Sequence, residues 1–281
     1  ILGLNEEQTT NAIALAANSV CGFNEWGHTG GSEMFFHVGN AARSGVSSAL
    51  LARSGAFGSH SALDGPAGLF ASHGKREQAV GVNLFEGEAE ILSVYHKAVP
   101  ACNFAQTASQ AALMLAQSGE CPVDQIRSIL VRVPSAGAHY PGCDFRGPYA
   151  HVLQAKMSIQ YNVVAALMRA ELTEANFELR QDPILHALLA QTHLQIDDDM
   201  TRAYPGHQGG GVEVILKDGR RLEKRLVDVV HATPPEIYER FKLAVEAAAG
   251  ASHANRIATL LDGLQYMDDA GELAASLAIQ I

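Results

Sequence analysis

The stretch from Val38 to Ser54 constrains this chain most. It places Gly39, Ala41, Ala42, Gly45, Ser48, Ala49 and Ala52 within one helix-length segment. Side chains that small let a neighbouring helix approach closely, so the pattern predicts a helix over 34–54 seated deep in an all-helical core. A glycine-rich loop leads into it through Gly27, Gly30 and Gly31, and Gly55-Ala56-Phe57-Gly58 turns the chain out of it. His37 stands near the start of this helix, where unpaired backbone N–H groups and the positive end of the dipole favour an anion such as a carboxylate. A histidine near the start of a buried packing helix is the plainer reading of the same residues.

The remaining local signals set an order of elements. Asn5 ahead of Glu6, Glu7 and Gln8 is a helix-capping pattern, and the helix it opens runs to about Val20. The loop that follows offers His28, Thr29 and Ser32 to a cleft, with Trp26 placed to plug the core. Composition shifts near Glu86. Alternation from Ala89 to Val94 predicts a strand that delivers Lys97 where a strand meets a helix running to about Gln117. Ile126–Val133 and Thr192–Asp198 read as strands, and residues 153–170 as one helix that carries Ser158 and Tyr161 on a common face. Asp182-Pro183 opens a short helix. Asp218-Gly219 between 212–216 and 221–227 is a strong hairpin signal. Thr233-Pro234-Pro235-Glu236 caps a helix to Ala249, with further helices over 255–264 and 271–281. This order predicts an α+β fold: a large all-helical domain from both chain ends, 1–88 and 233–281, with a smaller α+β domain inserted over 89–232. Ile1 begins without methionine directly before a helix, so the sequence reads as though a segment precedes it.

Composition removes several classes of function. Among 281 residues, 47% are hydrophobic and 18% charged, which allows a sizeable core. A net charge of -10 without any basic run argues against nucleic acid as partner, because neutralising phosphates takes clustered Lys and Arg. No apolar run is long enough to span a bilayer, and no export signal opens the chain, so neither a membrane nor secretion is expected. Cys21, Cys102, Cys121 and Cys143 form no C-x-x-C pair, which suits a reduced, cytoplasmic setting. Asp197-Asp198-Asp199 and His207 are metal-ligand types, but three consecutive residues do not converge on one ion, so no metal site is expected.

Four blocks, HVGNAARSGVSSALLARSGAFGSHSALDGPAGLF, YHKAVPACNFAQTASQAAL, QAKMSIQYNVVAAL and VEVILKDGRRL, occur in this order. Together they resemble the MmgE/PrpD family of 2-methylcitrate dehydratases and cis-aconitate decarboxylases, over nearly the whole chain. The resemblance implies a helical domain with an α+β lid, a homodimer, and chemistry on small di- and tricarboxylates without metal or organic cofactor. It implies a lyase, of dehydratase or decarboxylase type; an isomerase or epimerase on the same scaffold and a non-catalytic relative are the alternatives. Lys97 matches the family's lid lysine and Tyr161 the tyrosine of its serine-x-x-tyrosine block, while His37, Gly39, Ala41 and Ala42 match the helix-start block. Met34 stands where that block carries a lysine. Cys102 falls where many members have histidine or cysteine, and Gln106 where they have histidine. The expected catalytic set is therefore Lys97, Tyr161 and His37, with Cys102, Gln106, Asn40, Met34 and Ser158 lining the substrate.

The chemistry asks for such groups. Removing a proton next to a carboxylate builds negative charge on its oxygens, which needs a fixed cation or donor there and a base beside the carbon. Lysine suits the charge, a phenol donates or carries a proton, and imidazole titrates near neutrality.

Overall fold

The computed structural model describes residues 2–20, 22–75, 77, 87 and 89–278. The chain divides into two compact units, one of residues 1–93 and 99–229, the other of 94–98 and 230–281.

The first unit begins with a helix pair. α1 (Glu6–Ala17) opens with the expected capping box at Asn5, whose side chain accepts from the Gln8 N–H while Gln8 reaches back to the Asn5 N–H. α2 (Met34–Arg53) lies against it. The turn after α2 is fixed where Gly58 N–H donates to buried Asn11 at 3.2 Å. The expected burial of α2 is not met. Only Ser48 and Ala52 are buried, Val38 is 79% exposed, and a Cβ at Gly39 or Gly45 would meet nothing within 4 Å. Small residues permit close approach by a neighbour, but α1 covers only part of α2. Trp26 does plug the core, buried in the short helix Trp26–Thr29.

The α+β part is built around a four-stranded sheet of order β2-β1-β3-β4, from β1 (Ile126–Val133), β2 (Thr192–Ile196), β3 (Gly210–Leu216) and β4 (Arg221–Leu226). β1 and β2 are parallel, whereas β3 runs antiparallel to both its neighbours. Gly219 at φ +91° closes the β3–β4 hairpin. The helices are α3 (Gln106–Gln117), α4 (Val152–Met157), α5 (Ile159–Arg169) and α6 (Pro183–Ala190). α3 packs on α5, β3 and β4, and α6 on α5 and β1. Ile129, Val131, Val212, Val214 and Leu216 enter one apolar core with the inward faces of these helices. A Cβ at Gly210 would lie 2.7 Å from the Ala108 nitrogen, so glycine is what lets α3 approach β3 this closely. An ion-pair ladder links β1, β3 and β4, with Arg132 bridging Glu213 at 2.8 Å and Glu223 at 3.2 Å.

Two local expectations change. Residues 90–93 form a 3₁₀ turn rather than a strand, and Ile91 and Leu92 are exposed, because the sheet's ladder has no place for them. The helix read over 153–170 breaks at Ser158, whose ψ of 119° starts α5 afresh and whose hydroxyl accepts from the Tyr161 N–H. The composition shift near Glu86 and the last residues of the expected 271–281 helix lie outside the described residues, as does Cys21.

In the second unit, α7 (Pro234–Ala249), capped by Thr233 and Glu236, packs on α8 (Ala251–Asp262), and α8 on α9 (Gly271–Ser276). The segment 94–98 is stitched to the chain around the start of α7. Ala232 N–H donates to the His96 carbonyl at 3.0 Å, and the Tyr95 and His231 rings stack at 4.3 Å.

Candidate active site

Lys97 belongs to the second unit. Its carbonyl accepts a 2.7 Å hydrogen bond from the Arg240 guanidinium on α7, so the backbone carrying the ammonium is pinned from outside its own segment.

In the first unit, the residues expected to line the substrate fall into two groups. His37, Asn40 and Met34 ride on α2. The His37 ring packs on Gly22, where a Cβ would stand 3.2 Å from Nδ1. Asn40 is exposed and lines an apolar groove of about 410 Å³ with Ile13, Val20 and Leu69. Met34 packs, partly buried, against the unit's apolar core.

Cys102, Gln106, Ser158 and Tyr161 gather around the start of α5. Gln106 is fully buried; its oxygen accepts from Val99 N–H at 3.0 Å, and its amide nitrogen donates to the Val99 carbonyl at 2.9 Å and reaches those of Ala101 and Cys102. It clamps the turn that follows Lys97, and the amide is spent on backbone. Ser158 donates to the Phe145 carbonyl at 2.5 Å and meets the Tyr149 hydroxyl at 3.2 Å. Tyr161 is fully buried too. Its ring stacks on Phe177 and meets Tyr149 edge-on, and its hydroxyl donates to the Asn176 carbonyl at 2.8 Å. Burial pushes its phenol well above the usual tyrosine range, with the Arg180 charge opposing. The expectation of a phenol available to substrate thus meets a ring packed in the core with its proton engaged.

Two features have no mark in the sequence. Cys143 lies with its sulfur 3.6 Å from that of Cys102, and Arg240 holds Lys97 from 143 residues away. Neither has a local signal, since both contacts are made by tertiary structure alone.

Among the described residues, no group of three or more His, Cys, Asp or Glu is placed to hold a metal ion, and no helix is long and apolar enough to cross a membrane. Asp197 is engaged in capping the helix Asp198–Ala203, where it accepts from Asp199 and Met200 N–H at 3.0 Å and pairs with Arg225.

No curated protein matches the chain. Two family models do, the MmgE/PrpD N-terminal domain over residues 1–80 and the MmgE/PrpD C-terminal domain over residues 99–264. With both models in sequence order covering most of its length, the chain belongs to the MmgE/PrpD family, a dehydratase and lyase type of family.

Proposed function

We propose that this chain is a cofactor-independent lyase that removes the proton next to a carboxylate of a small di- or tricarboxylate and expels water or carbon dioxide. The single observation that carries this reading is the ordered match of both family domains. Lys97, which falls between the two matched regions and is pinned through its carbonyl by Arg240, supports it. In the proposed reaction His37 takes the proton, and the Lys97 ammonium stabilises the enediolate that forms on the carboxylate oxygens. In a dehydration, collapse of the enediolate breaks the bond to a β-hydroxyl, which takes the proton from His37 and leaves as water, giving an unsaturated acid. In a decarboxylation, carbon dioxide leaves without the bonding electrons, which form the enediolate, and His37 returns a proton to carbon. Tyr161, with Ser158, supports the site from behind through its packed ring, Gln106 holds the turn after Lys97, and Cys102, Asn40 and Met34 set the lining. The proposal keeps the helical domain of residues 1–88 and 233–281, the α+β lid of 89–232, a homodimer and a cytoplasmic setting.

Met34 favours a second reading. At the place where the family block has lysine, a thioether packs on apolar core, so this position offers no cation to a leaving group. A site that stabilises the carbanion without assisting departure would return the proton on the other face, as an epimerase. One experiment separates the two. The full chain is incubated in deuterated water with a panel of small hydroxy di- and tricarboxylates, and NMR and ultraviolet absorbance are followed. Unsaturated acid forming in step with exchange supports the lyase, exchange without elimination supports the epimerase, and neither with any acid removes both.

A further inference from the structure

Cys102 and Cys143 are both reduced, and their sulfurs face one another 3.6 Å apart across 41 residues of sequence. Each sits on backbone that is firmly held, and both are tied to the same short region. Cys102 N–H donates to the Lys156 carbonyl at 2.9 Å, and its own carbonyl is reached by the Gln106 amide at 3.2 Å. The Cys143 carbonyl accepts from Ile159 N–H at 2.9 Å. On either side of Cys143, Gly142 at φ +78° packs on the Gly27 backbone so closely that any Cβ would strike its carbonyl, and Asp144 is bound by Gln160. The two thiols are therefore held face to face from both sides. A disulfide needs the sulfurs at about 2.05 Å, roughly 1.6 Å closer than they stand here.

The two sulfurs differ in environment. Cys102 is partly exposed, and Asn103 beside it is exposed, whereas Cys143 is fully buried. We propose that Cys102 and Cys143 form a redox modification site, in which Cys102 reacts with a peroxide and Cys143 resolves the product into an intramolecular disulfide. The Cys102 thiolate attacks one peroxide oxygen; an S–O bond forms, the O–O bond breaks and hydroxide leaves. Cys143 sulfur then attacks the sulfenic sulfur, the S–S bond forms, the S–O bond breaks, and the departing hydroxide takes up the thiol proton as water. Two thiols are oxidised and one hydrogen peroxide is reduced to two waters. The hydrogen bond with Cys102, burial, and the charge of Cys102 together hold the Cys143 thiol well above the ordinary thiol range. The bond would fasten the turn that Gln106 clamps, five residues past Lys97, to the loop 140–145.

The test reads thiols rather than turnover, so it stands apart from the proposed reaction. The reduced full chain is treated with hydrogen peroxide, denatured in N-ethylmaleimide and mapped by peptide mass spectrometry without reduction. The expected result is one peptide pair linking Cys102 to Cys143, with the titratable thiol count falling from the four cysteines of the sequence to two, and recovery with dithiothreitol. Absence of the link, with Cys102 either untouched or carried to sulfinic acid, overturns the proposal, as does a link from Cys102 to a different cysteine. In Cys143→Ser, dimedone should label Cys102 under the same treatment; no label there would overturn the assignment of Cys102 as the attacking thiol. The mapping of the unaltered chain decides the matter even if that variant folds poorly.

Discussion

Tyr161 is where the chemistry of a residue and its surroundings pull apart. A tyrosine near the start of α5 suggests a proton carrier by resemblance, yet its hydroxyl is bound to the Asn176 carbonyl and its ring is fixed between Tyr149 and Phe177. Tyr161→Phe should therefore lower stability by about 1–2 kcal/mol, the worth of a buried hydrogen bond with one partner left behind. Urea unfolding measures that loss, and turnover per folded molecule should stay within roughly ten-fold, below the usual contribution of a general acid. A hundred-fold loss of turnover without loss of stability would restore the phenol to the reaction. Asp197 offers a second check at this scale. The Met200 N–H holds its carboxylate below the usual range; partial burial opposes this, and the Arg225 charge assists. A depressed folded-state pKa gives stability that is present above the unfolded value of about 4 and is lost as pH falls through the folded value. Asp197→Asn keeps a capping oxygen but no charge, so the urea midpoint of the variant should fall less steeply below about pH 4 than that of the parent. Parallel acid-side slopes would contradict this. The cap itself was not legible, because three consecutive aspartates advertise charge without saying which one accepts from the backbone.

At the scale of elements, what could be read in advance depended on whether the signal was local. The Asn5 and Thr233 caps, the Pro183 helix start and the Asp218-Gly219 hairpin are each written in a few adjacent residues and occur as read. The break at Ser158 was hidden because helical periodicity continues through it, and only the φ and ψ of one residue differ. The alternation over 89–94 was real but found no partner strand. Segment 94–98 is held by a tertiary contact that has no sequence mark, the Arg240 bond to the Lys97 carbonyl. If Lys97 acts as proposed, Arg240→Ala should lower turnover by roughly ten- to a hundred-fold by loosening the backbone behind the ammonium. Stability should move by less than about 1 kcal/mol for this exposed contact. Arg240→Lys should recover part of the rate, since it restores a single donor. Unchanged turnover in Arg240→Ala would mean the Lys97 carbonyl bond has no part in catalysis.

For the whole molecule, the mixture of helices with a four-stranded sheet and the membership of the family were legible, the first from element order and the second from four ordered blocks. The seating of α2 was not. A row of small residues states how near a neighbour can come, while Val38, Leu51 and the open space over Gly39 and Gly45 record that these positions of α2 are uncovered. The same limit applies to the site: Lys97, His37 and Tyr161 are marked by type and by resemblance, whereas the Gln106 clamp, the Cys102–Cys143 contact and the Arg240 bond exist only once the chain has folded. The central claim is that Lys97 stabilises the charge created when a polycarboxylate loses a proton from carbon. Hydrogen exchange into substrate in deuterated water, measured by NMR for the full chain and for Lys97→Ala, tests it most directly. The account predicts exchange with at least one small polycarboxylate and a loss of roughly a hundred-fold or more in the variant at unchanged fold; equal exchange in the two, or none in the unaltered chain, would contradict it.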